Sequence, residues 1–372
     1  MKQSVLVTGG AGFIGSFLVD QLVEEGYPVR ILDNLDPQVH PGSIPPKYLN
    51  KEAEFIEGNV LDENIFKRAL SGIETVFHFA SCVGVGQSQY EIAKYTSVNC
   101  GGTALLWDII VKNKLKIKKV FVPSSMTCFG EGLSRCDSCG IVKPLIRKEN
   151  EISTTDYRCR CPWCRSPVSP VPTPSDCRMM PGSVYALSKK FQEELTLVMG
   201  KTYNIPVVIF RYFNVYGPRQ SLSNPYTGVT AIFLSRIKNN NNPIVYEDGL
   251  QTRDFISVHD VVDLNIKAMD DNRMSSCVQN VGSGIPMPIK EVGERLIRLL
   301  NADVKVDVTR NFRKGDIRHC YVDINELKTN LSFTPQVDFD NGIMELASWS
   351  EKENAVDQFD KATRELSDKG LL

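Results

Sequence analysis

Ser4-Val5-Leu6-Val7-Thr8-Gly9-Gly10-Ala11-Gly12-Phe13-Ile14-Gly15 is the stretch whose reading decides the fold. Ser4 to Thr8 is a short apolar strand that runs straight into spaced glycines. Ile14, Leu18 and Leu22 then recur at helical spacing in a segment ending near Gly26. A second strand, Val29 to Leu32, ends in Asp33, which is 33 − 12 = 21 residues beyond the middle glycine. Strand, glycine turn, helix, strand and acid form the dinucleotide-binding arrangement. Small residues let the backbone approach a pyrophosphate at the helix N-terminus, and the carboxylate takes the ribose hydroxyls. Glycine triplets on their own are common in loops; here the full context is present. Asp33 would repel a 2′-phosphate and no Arg follows it closely, so NAD is favoured over NADP.

Beyond a polar, Pro- and Gly-rich surface loop at 36–50, Phe55 to Val60 reads as a third strand and Thr75 to Ala80 as a fourth. A helical stretch from Asn99 to Val111 leads to a fifth strand, Lys118 to Pro123, and Val207 to Phe213 is a further buried strand. Strands alternating with helices imply βαβ units, hence an α/β fold with a doubly wound parallel Rossmann sheet. Ligands on such sheets sit beyond the strand C-termini, so His78, Ala80, Ser125 and Asn214 are expected to line one crevice. The expected organisation is an NAD-binding Rossmann domain at 1–130 and 181–219, an insertion at 131–180, and a smaller substrate-binding lobe at 220–372. Some segments of that lobe return to the Rossmann core. Within it, Gly249 to Phe255 and Arg313 to His319 offer Arg253 and Arg313 to a diphosphate. The plainer reading of either arginine is a surface ion pair.

Between Val122 and Lys189 the chain carries hydroxyl chemistry at both ends. Pro123-Ser124-Ser125-Met126-Thr127 lies at a strand end, and Tyr185-Ala186-Leu187-Ser188-Lys189 opens a helix. Tyr and Lys at i, i+4 share one helix face, where an ammonium can lower a phenol pKa and make the phenolate a base for a sugar or alcohol hydroxyl. By spacing alone the motif is weak, since two solvated side chains would match it equally.

Six of the eleven cysteines (Cys136, Cys139, Cys159, Cys161, Cys164 and Cys177) fall within 42 positions. Two Cys-x-x-Cys knuckles, Cys136 to Cys139 and Cys161 to Cys164, are separated by 161 − 139 − 1 = 21 residues. That spacing matches a structural four-cysteine zinc ribbon, with Cys159 as an alternative ligand. A rubredoxin-like iron site or a redox disulfide would use the same knuckles. A closed site leaves no position for substrate, so the metal is expected to be structural. Both ends of the insertion attach beside Ser125 and Tyr185, which suggests a lid or rim over the pocket. Residues 131–180 hold eight basic and six acidic side chains with few aromatics, a poor composition for binding nucleic acid. The whole chain has 43 basic and 44 acidic residues, so nothing pulls it towards nucleic acid or an anionic membrane. Its apolar runs are too short for a signal peptide or a membrane span, and the thiols suit a cytoplasmic protein.

Taken together, Thr8 to Gly15, Leu32 to Leu35, His78-Phe79-Ala80, Val98 to Thr103, Ser124 to Thr127, Tyr185 to Lys189 and Arg211 to Pro218 resemble the extended short-chain dehydrogenase/reductase family, in particular its nucleotide-sugar epimerases and dehydratases. The resemblance spans almost the whole chain apart from 131–180. Carried over position by position, it implies that Gly9, Gly12, Phe13, Ile14, Gly15, Asp33, Asn34, Asn59, Val60, Ala80, Asn99, Tyr185 and Lys189 contact NAD. Ser125, Tyr185 and Lys189 are implied as catalytic, with Ser125, Thr127, Asn214, Arg253 and Arg313 on the substrate. Tyr185 would take a sugar hydroxyl proton as the carbon gives hydride to NAD. The resulting 4-keto sugar would turn and receive the hydride on its other face.

In that family, 4,6-dehydratases carry an Asp-Glu pair directly after the catalytic Ser or Thr; Met126 and Thr127 stand there, which argues for epimerisation. The cysteine insertion and Arg219 to Val229 are similar to a bacterial subgroup acting on dTDP-L-rhamnose at C4, which implies a dTDP-sugar substrate, and the family resemblance implies a homodimer. Rival readings are a 4-epimerase of another UDP, GDP or dTDP sugar, a dehydratase, decarboxylase or reductase on the same scaffold, and a silent NAD-binding protein whose ribbon engages a partner.

Overall fold

Seven parallel strands form the central sheet: β1 (Val5–Thr8), β2 (Val29–Asp33), β3 (Glu54–Glu57), β4 (Thr75–His78), β5 (Lys119–Ser125), β6 (Val207–Tyr212) and β7 (Cys277–Val281). Their spatial order is β7-β6-β5-β4-β1-β2-β3. In this computed structural model, residues 2–149, 152, 156–274 and 276–371 are described. The sheet is covered on both faces, which is why its central strands are continuously apolar rather than alternating. Helices α1 (Phe13–Glu24) and α5 (Val258–Asp270) cover one face around Leu18, Leu22, Phe77 and Val261. The other face is packed by α2 (Glu63–Leu70), α3 (Gly102–Lys112) and α4 (Val184–Tyr203) around Phe66, Trp107, Val120 and Ile209. Chain order reverses between β1 and β4, which pair in register from Val5 with Thr75 to Thr8 with His78. That switch point opens a crevice above the strand C-termini.

The first helix ends at Glu24, close to the expected stop. The stretch expected to be helical from Asn99 instead begins as a π turn, Thr96–Gly101, before the regular α3. A π turn widens the helix by one residue per turn and often marks a functional site.

The C-terminal lobe carries a second, smaller sheet. Its strand Thr252–Ser257 pairs in parallel with Asn214–Tyr216 and antiparallel with Pro286–Pro288. Phe233, Phe255, Val292 and Leu296 form the core beneath it. β7 is also drawn from this part of the sequence but pairs with β6, so the lobe and the main sheet are physically continuous. In the inserted segment, Ser134–Cys136 pairs antiparallel with Gly140–Val142 and with Ser169–Pro170. No helix among the described residues is long and apolar enough to cross a membrane.

Candidate active site

A single cleft of about 620 Å³ runs from the glycine turn, across the ends of β1, β4, β5 and β6, into the C-terminal lobe. Gly9, Gly12, Phe13, Ile14 and Gly15 line its floor together with Asp33, Asn34, Asn59, Val60 and Ala80. The glycines are needed for contact rather than for flexibility alone. A Cβ on Gly15 would lie 2.2 Å from the Gly9 carbonyl oxygen, and one on Gly9, at φ 71°, would lie 2.8 Å from the Ala80 nitrogen. The glycines thus let the turn close tightly on the end of β4, and the start of α1 is left lining the cleft floor, a setting that suits a pyrophosphate. The buried Asp33 carboxylate is held at the cleft by two backbone donors, Ala11 N at 3.0 Å and Leu35 N at 2.9 Å.

Ser125 is the last residue of β5, in register with Tyr212 of β6. Its Oγ accepts from Thr127 N at 3.2 Å and Thr127 Oγ1 at 2.9 Å. With both donors spent on it, the serine proton is left to point onward. Tyr185 sits in the first turn of α4, where Ser183 caps the helix by accepting from Ala186 N and the Tyr185 amide donates to Ser88 Oγ at 3.0 Å. Burial pushes the Tyr185 phenol above its ordinary value, while a hydrogen bond with Ser125 pulls it down. One turn later, burial lowers the Lys189 ammonium to about 8. Its Nζ donates to Gln192 Oε1 at 2.8 Å and to Ser81 Oγ at 3.3 Å. Tyr95 meets Tyr185 edge to face, with centroids 6.4 Å apart, and closes the apolar side of the site.

Across the cleft, Arg253 and Arg313 both pair with the buried Asp316, at 3.0 and 3.2 Å. Burial alone would raise the Asp316 carboxyl, but Arg313, Arg253 and Arg147 outweigh it and hold it below the usual range. Arg313 Nε and Asn214 Oδ1 are buried without a partner, two polar atoms facing a site that can satisfy them.

Comparison with known proteins follows this geometry. The model of the NAD dependent epimerase/dehydratase family matches residues 5–149 and 165–282. The chain belongs to this family. It is thus an NAD-dependent enzyme of the epimerase/dehydratase class. It is 33% identical over 355 residues to a dTDP-L-rhamnose 4-epimerase of Burkholderia thailandensis, covering 94% of this chain and 96% of that one. A UDP-N-acetyl-alpha-D-glucosaminuronate decarboxylase of Bacillus cytotoxicus is 30% identical over 363 residues, covering 94% and 98%. Among solved structures, a UDP-glucose 4-epimerase of Thermotoga maritima with UDP-glucose superposes with a TM-score of 0.76 at 29% identity, covering 94% of this chain and 99% of that one.

The family match skips 150–164, which includes Cys161 and Cys164. The sulfurs of Cys136, Cys139, Cys161 and Cys164 nevertheless converge, all within 4.8 Å of one another. Each second cysteine is followed by a left-handed residue, Gly140 at φ 74° and Arg165 at φ 64°, which folds each knuckle back on itself. Cys159 lies outside the cluster, buried beside Glu131, and Cys177 is buried elsewhere.

The expected site residues are not all placed alike. Thr127 and Asn214 line the cleft with Ser125, Tyr185 and Lys189, but Asn99 does not. Asn99 is fully buried: its Oδ1 accepts from Cys82 N at 2.8 Å, and its Nδ2 donates to Cys82 O and to Ser188 Oγ. It ties the loop after β4 to α4 from behind the wall. His78 also fails to reach the crevice. Strand alternation turns it under α2, where it stacks on Phe66 and meets Thr8 Oγ1 at 3.0 Å. Burial and Lys189 push its pKa down to about 3, so the imidazole is neutral. The expected lid is corrected too: none of the described residues between 131 and 180 lines the cleft.

Two parts of the wall carried no sequence signal. Gln38 donates to Gln87 Oε1 and Asn224 Oδ1 at 2.9 and 3.1 Å, closing one end. The helix Phe359–Asp368 contributes Phe359, Ala362, Thr363 and Leu366, held by Glu365 accepting from Tyr90 and Tyr226 at 3.0 Å each.

Proposed function

We propose that this enzyme is a nucleotide-sugar 4-epimerase, with dTDP-L-rhamnose to dTDP-6-deoxy-L-talose as its reaction. The observation that carries the epimerase reading is the distribution of carboxylates. Among the described residues lining the cleft, the acids are Asp33, Asp36 and Asp316. Asp33 is bound to the backbone of the glycine turn, Asp36 pairs with Lys94, and Asp316 is neutralised by two arginines. Beside Ser125 and Tyr185 stand the apolar Met126 and a Thr127 occupied with Ser125, so no carboxyl is there to expel water. Hydroxyl deprotonation without elimination is what this surface supports.

Bound NAD would supply the hydride acceptor and, after the sugar turns, the donor; Gly9 to Gly15, Asp33, Asn34, Asn59, Val60, Ala80, Tyr185 and Lys189 would hold it, with Asn99 bracing the wall. Tyr185 would accept the hydroxyl proton as its phenolate, against a burial that favours the neutral phenol in the chain without NAD, and would later return it. Ser125, whose hydroxyl already bonds the Tyr185 oxygen, is placed to hydrogen-bond the same substrate oxygen. Arg253, Arg313 and Asn214 grip the diphosphate, a remote anchor that leaves the hexose able to rotate. The dTDP-rhamnose reading is favoured by the 33% identical Burkholderia thailandensis relative, and a UDP or GDP sugar is the rival. Incubation with a panel of dTDP-, UDP- and GDP-sugars, read by NMR, tests it. Conversion of dTDP-L-rhamnose is expected, and conversion of none rejects the proposal.

The converging sulfurs fit a closed tetrahedral zinc site, for which Zn–S bonds of about 2.3 Å set sulfur separations of roughly 3.8 Å. We assign Cys136, Cys139, Cys161 and Cys164 to a structural zinc in an inserted ribbon spanning 131–180. A homodimer is supported by Leu187, Phe191 and Val198, which leave an apolar stripe exposed along α4. None of the eleven cysteines is in a disulfide, and the seven outside the proposed zinc site are free thiols.

A further inference from the structure

The inserted module reaches the cleft through a loop it grips from behind. Arg147 is buried, and its guanidinium sits in a four-way junction. Nε donates to Glu131 at 3.2 Å, Nη1 to Glu247 at 2.9 Å and the Tyr157 carbonyl at 3.0 Å, and Nη2 to the Asp316 carbonyl at 3.2 Å. Its flat face lies over the Phe312 ring, 5.4 Å from the centroid. Tyr157, also of the insertion, donates its hydroxyl to the Arg310 carbonyl at 2.8 Å. The Glu131 carboxylate accepts from Arg318 N at 2.9 Å and His319 N at 3.1 Å. Arg318 closes the circuit onto Glu247 and Asp248, at 2.6 Å each. The segment 310–319 is thereby held at Arg310, Asp316, Arg318 and His319. Its other side presents Arg313 to the cleft, and its Asp316 carboxylate is the shared partner of Arg313 and Arg253.

We propose that Arg147 is a positioning residue for nucleotide-sugar recognition: by fixing the Asp316 backbone it sets the spacing of Arg253 and Arg313 for a diphosphate, and so makes the insertion part of the substrate site without touching substrate. The inference rests on the diphosphate reading of those arginines given above. Stability alone does not explain such a junction, because a buried ion network is commonly matched by apolar residues of similar volume. What a guanidinium adds is direction, several donors at fixed angles in one plane, which a lysine point charge cannot reproduce. Two arginines must hold a set separation to bind two phosphates at once, and a loop between 310 and 319 would not keep it unaided.

The test is binding of dTDP and UDP to the NAD-loaded enzyme by calorimetry, for wild type, Arg147→Lys, Arg313→Lys and the double variant. Arg147→Lys is expected to weaken nucleoside diphosphate binding roughly tenfold while NAD affinity is unchanged. In the double variant the Arg147→Lys loss should largely vanish, since there is no longer a guanidinium at 313 to place. Equal losses in the presence and absence of Arg313, or unaltered diphosphate affinity in Arg147→Lys, would overturn the proposal. If Arg147→Lys does not fold, Tyr157→Phe, which removes a single hydroxyl, carries the same cycle with a smaller expected loss and the same refuting result. Wild-type enzyme that binds neither diphosphate defeats the functional reading itself, an outcome distinct from wild-type binding with an additive cycle.

Discussion

Replacing Lys189 by Met should stabilise the NAD-free enzyme near neutral pH while destroying its activity. Lys189 is almost completely buried, and burial lowers its ammonium from 10.5 to about 8. The sign follows from linkage. Between pH 8 and 10.5 the unfolded chain keeps this proton and the folded chain has lost it, so stability rises with pH across that window. Below pH 8 both states are charged, and the folded state carries the full desolvation penalty. A difference of about 2.5 pH units corresponds to roughly 3 kcal/mol at pH 7. Methionine has a similar shape and carries no charge, but it strands Gln192 Oε1, an acceptor at 2.8 Å from Nζ, which costs about 1 kcal/mol. The net is a gain of about 2 kcal/mol, or a rise of roughly 3 °C in Tm for a chain of this length.

The assay is thermal unfolding of wild type and Lys189→Met, stripped of NAD, at pH 7 and pH 9.5. The variant's advantage should shrink by about 2 kcal/mol on going to pH 9.5, because the wild-type lysine is by then neutral when folded. A difference that stays constant with pH would show that the ammonium is not depressed and would refute the reasoning. Activity should fall at least about 100-fold, the scale of a lost proton-transfer partner.

Tyr185→Phe should lower kcat by roughly 10²- to 10⁴-fold, measured by NMR turnover at saturating NAD. Gly15→Ala sets a methyl 2.2 Å from the Gly9 carbonyl oxygen, and NAD should then no longer raise the Tm, whereas in wild type NAD at 100 times its Kd stabilises by about 2.7 kcal/mol. Cys139→Ser should remove zinc, read by elemental analysis, and expose 131–180 to proteolysis; retained zinc with an intact segment would count against the four-cysteine assignment.

The elements legible in the sequence share one property: their chemistry is set by short spacing. The glycine turn and Asp33 follow from strand and helix periods, Tyr185 and Lys189 from one helical turn, and each cysteine knuckle from a three-residue step. Asn99 and His78 mark where that logic stops. Their motif positions were readable, yet whether a side chain faces a crevice or the packing behind it depends on which helix covers that strand end. Phe66 of α2 covers His78, and Ser188 of α4 takes up the Asn99 amide. A spacing rule names the residue, and the neighbouring layer decides its direction.

The same distinction explains why the insertion does not line the cleft although its ends suggest a lid. Its two ends do attach beside Ser125 and Tyr185, but its packing partner is the 310–319 loop. Arg147 meets Glu247 across 100 positions, and Glu131 meets the Arg318 amide across 187. Pairings at such distances leave no periodicity, and a lone Arg147 or Glu131 reads as an ordinary surface charge. Arg253 and Arg313 were recognisable as candidates, but their common anchor on Asp316 belongs to the fold. On the readings proposed above, the four-cysteine module behind that anchor would let the diphosphate end of the cleft be altered without disturbing Ser125, Tyr185 and Lys189. On this proposal, substrate choice lies with the 310–319 loop and the insertion behind it, and proton transfer with β5 and α4.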